Sequence, residues 1–549
     1  RLGGNGKAFL EMSRAMMGNP TKLAEAQINF WRQYGELWQK SAQQFLGQLE
    51  TPSETIATED KRFRDPEWET NAVFSFIKES YLLSSQWLLN TVHDVDGLDE
   101  NTARKVDFYS RQFIDAMAPT NFAASNPEVL RATLESKGEN LVSGFQNLLE
   151  DLDRGDGQLR IKMVDEDAFT IGENIATTPG EVIYQNELMQ LIQYKPTTKT
   201  VYRRPLLIIP PWINKFYILD LRPKNSFIRW AVEQGHTVFV ISWVNPDETL
   251  ATKTMEDYMF DGPLAALDAI EQATGQKEMN VIGYCLGGTL LAATLAYMTE
   301  KGDDRIHAAT YFTAMIDFAE AGELGVFVDE EQLGALEDRM NETGYLEGHE
   351  MATTFNMMRA NDLIWSFVIN NYLLGKEPLP FDLLYWNSDS TRMPAAMHSF
   401  YLRNMYLENK LIEPGGIEFD GIALDLKKIN TPTFVLSTRE DHIAPWKSTY
   451  RAVDTYGGPV KFCLAASGHI AGVINPPESN KYAYWTNNDR PASATDWFAG
   501  AKEHAGSWWP EWSKWIGRHG GGKEPARQPG DGDLDIIESA PGSYVKSRS

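Results

Sequence analysis

The decapeptide Val281-Ile282-Gly283-Tyr284-Cys285-Leu286-Gly287-Gly288-Thr289-Leu290 constrains this chain more than any other stretch. Met279 to Tyr284 is a short apolar run with a β-branched pair, which predicts a buried strand. Thr289 to Leu295 contains no breaker and predicts a helix. Between them lies Gly-x-Cys-x-Gly, the pattern of a nucleophile elbow, where a sharp strand-to-helix turn pushes one side chain into the open. The spacing predicts that Gly283 and Gly287 let strand and helix approach, because a Cβ at either would obstruct the turn. The side chain presented is the thiol of Cys285, where most such elbows carry a hydroxyl. A buried structural cysteine beside a chance glycine pair is the competing reading, and it does not account for the flanking strand and helix patterns.

The rest of the chain supplies the sheet that an elbow needs. Continuous apolar runs recur at Leu206–Ile209, Thr237–Ile241, Val281–Ile282, Ala308–Phe312, Phe434–Leu436 and Val460–Leu464, separated by helical segments. Strands buried on both faces read this way, and their alternation with helices predicts a parallel sheet. We therefore expect an α/β-hydrolase fold catalytic domain over residues 156–516, preceded by a helical N-terminal domain over 1–155. Between 320 and 425 the alternation is lost, Asp329 to Glu350 is strongly acidic, and the stretch reads as a lid insertion after the sixth strand. Residues 517–549, rich in Gly, Pro and Asp, read as a loose tail.

In the first domain Trp31, Tyr34, Trp38, Ala42, Phe45 and Leu49 recur at three and four residues, one helical face expected to pack in a core or on a partner. Asp65-Pro66-Glu67 predicts a helix running toward Leu89, and Asn126-Pro127-Glu128 one ending near Leu149. Arg160–Val164 reads as a strand.

A nucleophilic thiol needs a base, and the base needs an acid to orient it. On this fold the acid precedes the histidine along the chain. Arg439-Glu440-Asp441-His442 follows the run ending at Ser437, and Ser467-Gly468-His469-Ile470 follows the run ending at Ala465, so Asp441 and His469 are the expected acid and base. His442 as base and Glu440 as acid remain alternatives. Cys463, inside an apolar run, is expected to be a packing residue. An oxyanion hole would take one amide from Leu286 and a second from Pro210-Pro211-Trp212-Ile213-Asn214-Lys215, with Ile213 the expected donor.

The histidines form no HExxH or close ligand pair and CxxC is absent, so no metal is expected. The glycines of the elbow precede no Lys-Ser/Thr, which sets aside a phosphate-binding loop. The net charge of −25 disfavours nucleic acid and anionic lipid as partners. Two cysteines in 549 residues, no apolar run of membrane-spanning length and no leader point to the cytoplasm. The opening Arg1-Leu2-Gly3 lacks Met, so part of the native N-terminus is expected to be missing. A thiol also suggests why the nucleophile is cysteine. Its attack on an acyl thioester exchanges one thioester for another and keeps the acyl group activated for transfer to a hydroxyl, an advantage that a hydrolase does not need.

Gly-Tyr-Cys-Leu-Gly-Gly-Thr (283–289), Pro-Pro-Trp-Ile-Asn-Lys-Phe-Tyr-Ile-Leu-Asp-Leu (210–221), Ile-Ser-Trp-Val-Asn-Pro (241–246), Arg-Glu-Asp-His-Ile (439–443), Ser-Gly-His-Ile-Ala-Gly-Val-Ile-Asn-Pro-Pro (467–477) and Gly-Ser-Trp-Trp-Pro-Glu-Trp (506–512) resemble polyhydroxyalkanoate synthases, and length and layout are similar to the class I enzymes. The resemblance implies an acyltransferase that polymerises (R)-3-hydroxyacyl-CoA, short units such as 3-hydroxybutyryl-CoA preferred, into polyester. Coenzyme A is then the leaving group and no cofactor is needed. It implies Cys285 as carrier of the growing chain, His469 as its base and Asp441 as activator of the incoming 3-hydroxyl, a role different from orienting the imidazole. It also implies a homodimer and a place at the surface of cytoplasmic polyester granules, with the N-terminal helices touching granule and granule-associated proteins. An intracellular thioesterase or depolymerase of the same fold is the alternative.

Overall fold

The computed structural model describes residues 4–46, 60–479 and 481–548. It divides the chain into two compact units, residues 1–165 with 355–379, and 166–354 with 380–549. This partition differs from the expected one. The stretch 355–379, read as lid, belongs with the N-terminal helices.

The first unit is helical: α1 (Gly4–Gly18), α2 (Pro20–Phe45), α3 (Ala72–His93), α4 (Glu100–Ala116), α5 (Pro127–Glu135) and α6 (Glu139–Arg154). Asparagine and aspartate caps set several starts: Asn71, Asp99 and Asn126 each accept from backbone N–H groups of the first turn. Both long helices expected here are broken. Asn71 adopts extended backbone and starts α3 anew after the short turn Glu67–Thr70, and Gly138, at φ +90°, separates α5 from α6. No strand forms over 160–164. The segment 355–379 docks on α6, where Asn140 and Asn147 Nδ2 donate to the carbonyls of Leu373 and Asn371 at 2.8 and 3.0 Å. Gly144 permits this: a Cβ there would sit 1.9 Å from the Tyr372 carbonyl oxygen.

The expected aromatic face of α2 is offset from the face that packs. Phe30 meets Trp87 at 5.2 Å, Tyr34 meets Phe76 at 6.3 Å and Leu37 is buried, whereas Trp31, Trp38 and Phe45 are 65%, 60% and 58% exposed. Residues seven apart stack on one stripe of a helix, and this stripe lies one residue round from the buried one. Leu49 falls outside the described residues.

The second unit is built on an eleven-stranded sheet. In chain order the strands are β1 (Gly180–Gln185), β2 (Met189–Tyr194), β3 (Leu206–Ile209), β4 (Val238–Trp243), β5 (Met279–Tyr284), β6 (Ile306–Phe312), β7 (Thr433–Thr438), β8 (Val460–Ala465), β9 (Ala483–Thr486), β10 (Lys502–Ala505) and β11 (Glu538–Ser539). Their spatial order is β10-β9-β8-β7-β6-β5-β3-β4-β2-β1-β11. The six strands from β4 to β8 pair in parallel and the flanking ones antiparallel. This is the α/β-hydrolase arrangement expected from the apolar runs. Registers Ile209↔Gly283, Tyr284↔Phe312, Phe312↔Leu436 and Thr438↔Ala465 align the carboxyl ends of β3, β5, β6, β7 and β8. The loops after these strands therefore open on one edge, where ligands gather in parallel sheets.

Helix α7 (Leu286–Lys301), which leaves the elbow, is buried on all sides from Leu286 to Met298. Leu290 and Leu291 are fully covered, and each such leucine contributes about 2 kcal/mol. The expected loose tail is instead bound: Lys523–Pro525 pairs with Thr200–Tyr202, β11 pairs with β1, and Val545 is buried. Among the described residues no helix is long and apolar enough to cross a membrane.

Candidate active site

Cys285 stands between β5 and α7 with φ +51° and ψ −120°, a conformation that L residues rarely adopt. Its amide donates to the Phe312 carbonyl at 2.9 Å, and its own carbonyl accepts from Gly288 and Thr289, which pins the turn on both sides. The glycines act by space, as the spacing predicts. A Cβ at Gly283 would lie 2.4 Å from Gly288 Cα, and one at Gly287 would lie 2.0 Å from the Ile209 carbonyl oxygen. Gly288 is equally constrained, its Cβ falling 2.4 Å from that of Ala314. The Cys285 side chain is half-buried, and its charge acts on the His469 imidazole.

His469 comes from the loop after β8 and Asp441 from the loop after β7. His469 Nδ1–H donates to Asp441 Oδ2 at 2.7 Å, with the carboxylate fully covered and the imidazole almost so. Asp441 Oδ2 also accepts from Thr438 Oγ1 at 3.2 Å, and Oδ1 accepts from the amides of Ile443 and Ala444 at 2.8 and 2.9 Å. Both oxygens are thus engaged. Burial by itself lowers the imidazole pKa. The charges of Asp441 and Cys285 and the hydrogen bonds from both outweigh it, and the pKa rises to about 10. Tyr284, the residue before the thiol, stacks on the imidazole at 6.0 Å, and its hydroxyl donates to the His469 carbonyl at 3.3 Å. The alternatives His442 and Glu440 carry exposed side chains. Cys463 lies inside β8, completely buried, where desolvation pushes its thiol pKa up.

The loop 210–215 leaves β3 beside the elbow. Its carbonyls are held one by one: Pro210 O by Trp243 Nε1 at 2.8 Å, Trp212 O by Thr391 Oγ1 at 2.5 Å, and Lys215 O by Trp386 Nε1 at 2.7 Å. Ile213 and Leu286, the expected amide donors, are both buried, the first in this loop and the second at the first residue of α7. Among the described residues no group of three His, Cys, Asp or Glu side chains could hold a metal ion.

Two features escape a reading of the sequence. Tyr401 and Tyr406, on the 380–425 part of the insertion, pack edge to face with rings 5.5 Å apart. Burial pushes both phenol pKa values up, and the charge of Cys285 adds to it, so the pair lies within electrostatic reach of the thiol. Nothing in the local pattern marks them. The second is the role of Trp508 and Trp509, whose indole N–H groups donate to the carbonyls of Gly472 and Val473, both at 2.9 Å. They brace the loop that carries His469 from beneath, packed with Phe227 and Phe312 at 5.0 to 5.2 Å. Their motif is visible in the sequence, but their function depends on this long-range contact.

Comparison with known proteins agrees with this arrangement. Residues 59–231 match the N-terminus of poly-beta-hydroxybutyrate polymerase (PhaC), and residues 205–469 match the alpha/beta hydrolase fold. The poly(3-hydroxyalkanoate) polymerase subunit PhaC of Rhizobium meliloti (strain 1021) is 51% identical, over 99% of this chain and 88% of that protein. The poly(3-hydroxyalkanoate) polymerase of Methylorubrum extorquens is 50% identical over 99% and 90%, and the PhaC subunit of Cupriavidus necator 42% over 96% and 89%. With a cysteine elbow on a hydrolase sheet and identity of this extent along nearly its whole length, the chain belongs to the poly(3-hydroxyalkanoate) polymerase family of enzymes.

Proposed function

We propose that the protein polymerises (R)-3-hydroxyacyl-CoA, short units such as 3-hydroxybutyryl-CoA among them, into polyester through a thioester on Cys285. The observation that carries the reading is the strained Cys285 elbow at the carboxyl edge of the parallel strands, with His469, hydrogen-bonded to Asp441, within electrostatic reach of the thiol. In the first step the Cys285 sulfur attacks the acyl carbonyl, the bond to the coenzyme A sulfur breaks, and His469 gives its proton to that sulfur. In the second step His469, now neutral, takes the proton of a 3-hydroxyl as its oxygen attacks the acyl thioester, the bond between acyl carbon and Cys285 sulfur breaks, and the sulfur leaves as thiolate beside the protonated imidazole. The amides of Leu286 and Ile213 are the donors for the oxyanion of both steps. Asp441 orients and charges the imidazole and leaves the incoming hydroxyl to it, since both carboxylate oxygens are already occupied. A homodimer at the surface of cytoplasmic polyester granules is the setting that the family relationship favours.

Purified protein incubated with 3-hydroxybutyryl-CoA tests the reading. Polymer accumulating in step with free coenzyme A is the expected result. Coenzyme A release accompanied only by free 3-hydroxybutyrate would replace it with hydrolysis.

A further inference from the structure

Lys215 closes the loop that carries Ile213, and its ammonium is almost wholly buried with the carboxylate of Asp389, both side chains 2% exposed and the pair 2.7 Å apart. Tyr217 donates its hydroxyl to the other oxygen of Asp389 at 2.7 Å. An ammonium has three N–H groups, and a buried one left unmet is costly. The contact with Asp389 is an ion pair without hydrogen-bond geometry, and the hydrogen-bond acceptor that the ammonium finds is the carbonyl of Ser547, 2.8 Å from Lys215 Nζ, supplied by a segment more than three hundred residues away in the chain.

That segment, residues 538–548, is fastened along its length. β11 pairs with β1, the Tyr544 amide donates to Gln190 Oε1 at 3.1 Å, and the Tyr544 hydroxyl donates to the Asn186 carbonyl at 2.7 Å. Val545 is buried, and Arg548 lies over the Tyr385 ring at 4.9 Å while also bonding its hydroxyl. The strap is thus anchored on the sheet at one end and on Tyr385 at the other, with the Ser547 carbonyl between them. On the other side of the ion pair, Trp386 and Thr391 hold the carbonyls of Lys215 and Trp212 from the same short stretch that contains Asp389. Strap, ion pair and amide-bearing loop are connected by contact at every step.

We propose that the strap 538–548 is a positioning element of the active site, fixing the Ile213 amide through Lys215. The inference rests on the reading of that amide as an oxyanion donor. Among the described residues the hydrogen bond between loop and strap runs from Lys215 Nζ to the Ser547 carbonyl, so the backbone there, and not the serine side chain, does the positioning. A donor displaced by a fraction of an ångström loses most of its value to the transition state while substrate still binds.

The test compares the intact protein, a form with a stop codon after Lys546, and Ser547→Ala, each assayed by coenzyme A release from 3-hydroxybutyryl-CoA, by iodoacetamide labelling of Cys285 and by thermal melting. The expected result is a kcat roughly 10-fold or more lower in the truncated form, with KM within about twofold, labelling rate and melting midpoint preserved, and Ser547→Ala unchanged. Lys215→Arg, which keeps a cation against Asp389, should retain more kcat than Lys215→Met. An unaltered kcat in the truncated form overturns the proposal. So does a kcat that falls together with labelling and melting, because the strap is then only structural. The intact protein reports separately on the function itself: should it release no coenzyme A, the polymerase reading fails whatever the strap does.

Discussion

The protein's two thiols lie on the same sheet and have opposite surroundings. Cys285 sits past the end of β5 in a strained turn, half-buried and within electrostatic reach of an imidazole. Cys463 sits inside β8, paired on both sides by neighbouring strands, with no exposure at all. Neither the residue type nor the apolar neighbours distinguish them. The difference comes from the turn and the partner: positive φ presents one sulfur toward His469, while desolvation raises the pKa of the other.

The largest test of this contrast is removal of each sulfur in turn. Cys285→Ala should lower coenzyme A release by roughly 10³-fold or more with the melting midpoint unchanged, and Cys285→Ser should also lose most turnover; activity near wild type in either would end the case for this thiol. Next in size is Gly287→Ala, whose Cβ would meet the Ile209 carbonyl oxygen at 2.0 Å. We expect about 3 kcal/mol lost in chemical denaturation together with most of the turnover, since both the elbow and the 210–215 loop must shift. Cys463→Ser should do the reverse of Cys285→Ala. It buries a hydroxyl within β8, costs about 1–3 kcal/mol, and leaves kcat as it was.

A smaller effect follows from the imidazole. Its pKa in the folded protein, about 10, lies above the ordinary 6.5, so the stabilisation it brings is complete below 6.5 and is lost as pH rises toward 10. Denaturation of wild type and His469→Gln across that window should show the gap between them closing with rising pH; a gap that widens would mean the imidazole is held neutral. Smallest of all is Trp508→Phe. It removes one hydrogen bond to Gly472 and should cost about 1 kcal/mol, with a modest fall in kcat and no change in KM.

Much of this site can be read from the sequence because its constraints are local. Gly283 and Gly287 flank the thiol within five residues, the parallel strands are unbroken apolar runs, and Asp441 and His469 each follow one of them directly. The features that escape such reading depend on partners far along the chain. Residues 355–379 join the helical unit through the closeness of Gly144 to Tyr372, and the exposed stripe of α2 cannot be told from the packed one until α3 is placed. β9 is only four residues long and β10, Lys502–Ala505, is largely polar, so neither stands out, and the tail's Gly and Pro content resembles disorder until its pairing with β1 is seen. The tryptophans that hold the histidine loop and the Tyr401–Tyr406 pair have roles only in three dimensions.

One consequence of the sheet order concerns biosynthesis. β1 is the first strand of the sheet to leave the ribosome, and β11, the strand that covers its outer side, is the last of the eleven. Throughout translation of the intervening residues the nascent protein therefore carries an uncovered strand edge, a template on which neighbouring chains can add. Crowded polysomes and premature termination before Glu538 are the circumstances in which insoluble material should form, and a chaperone that shields extended backbone would act during that interval.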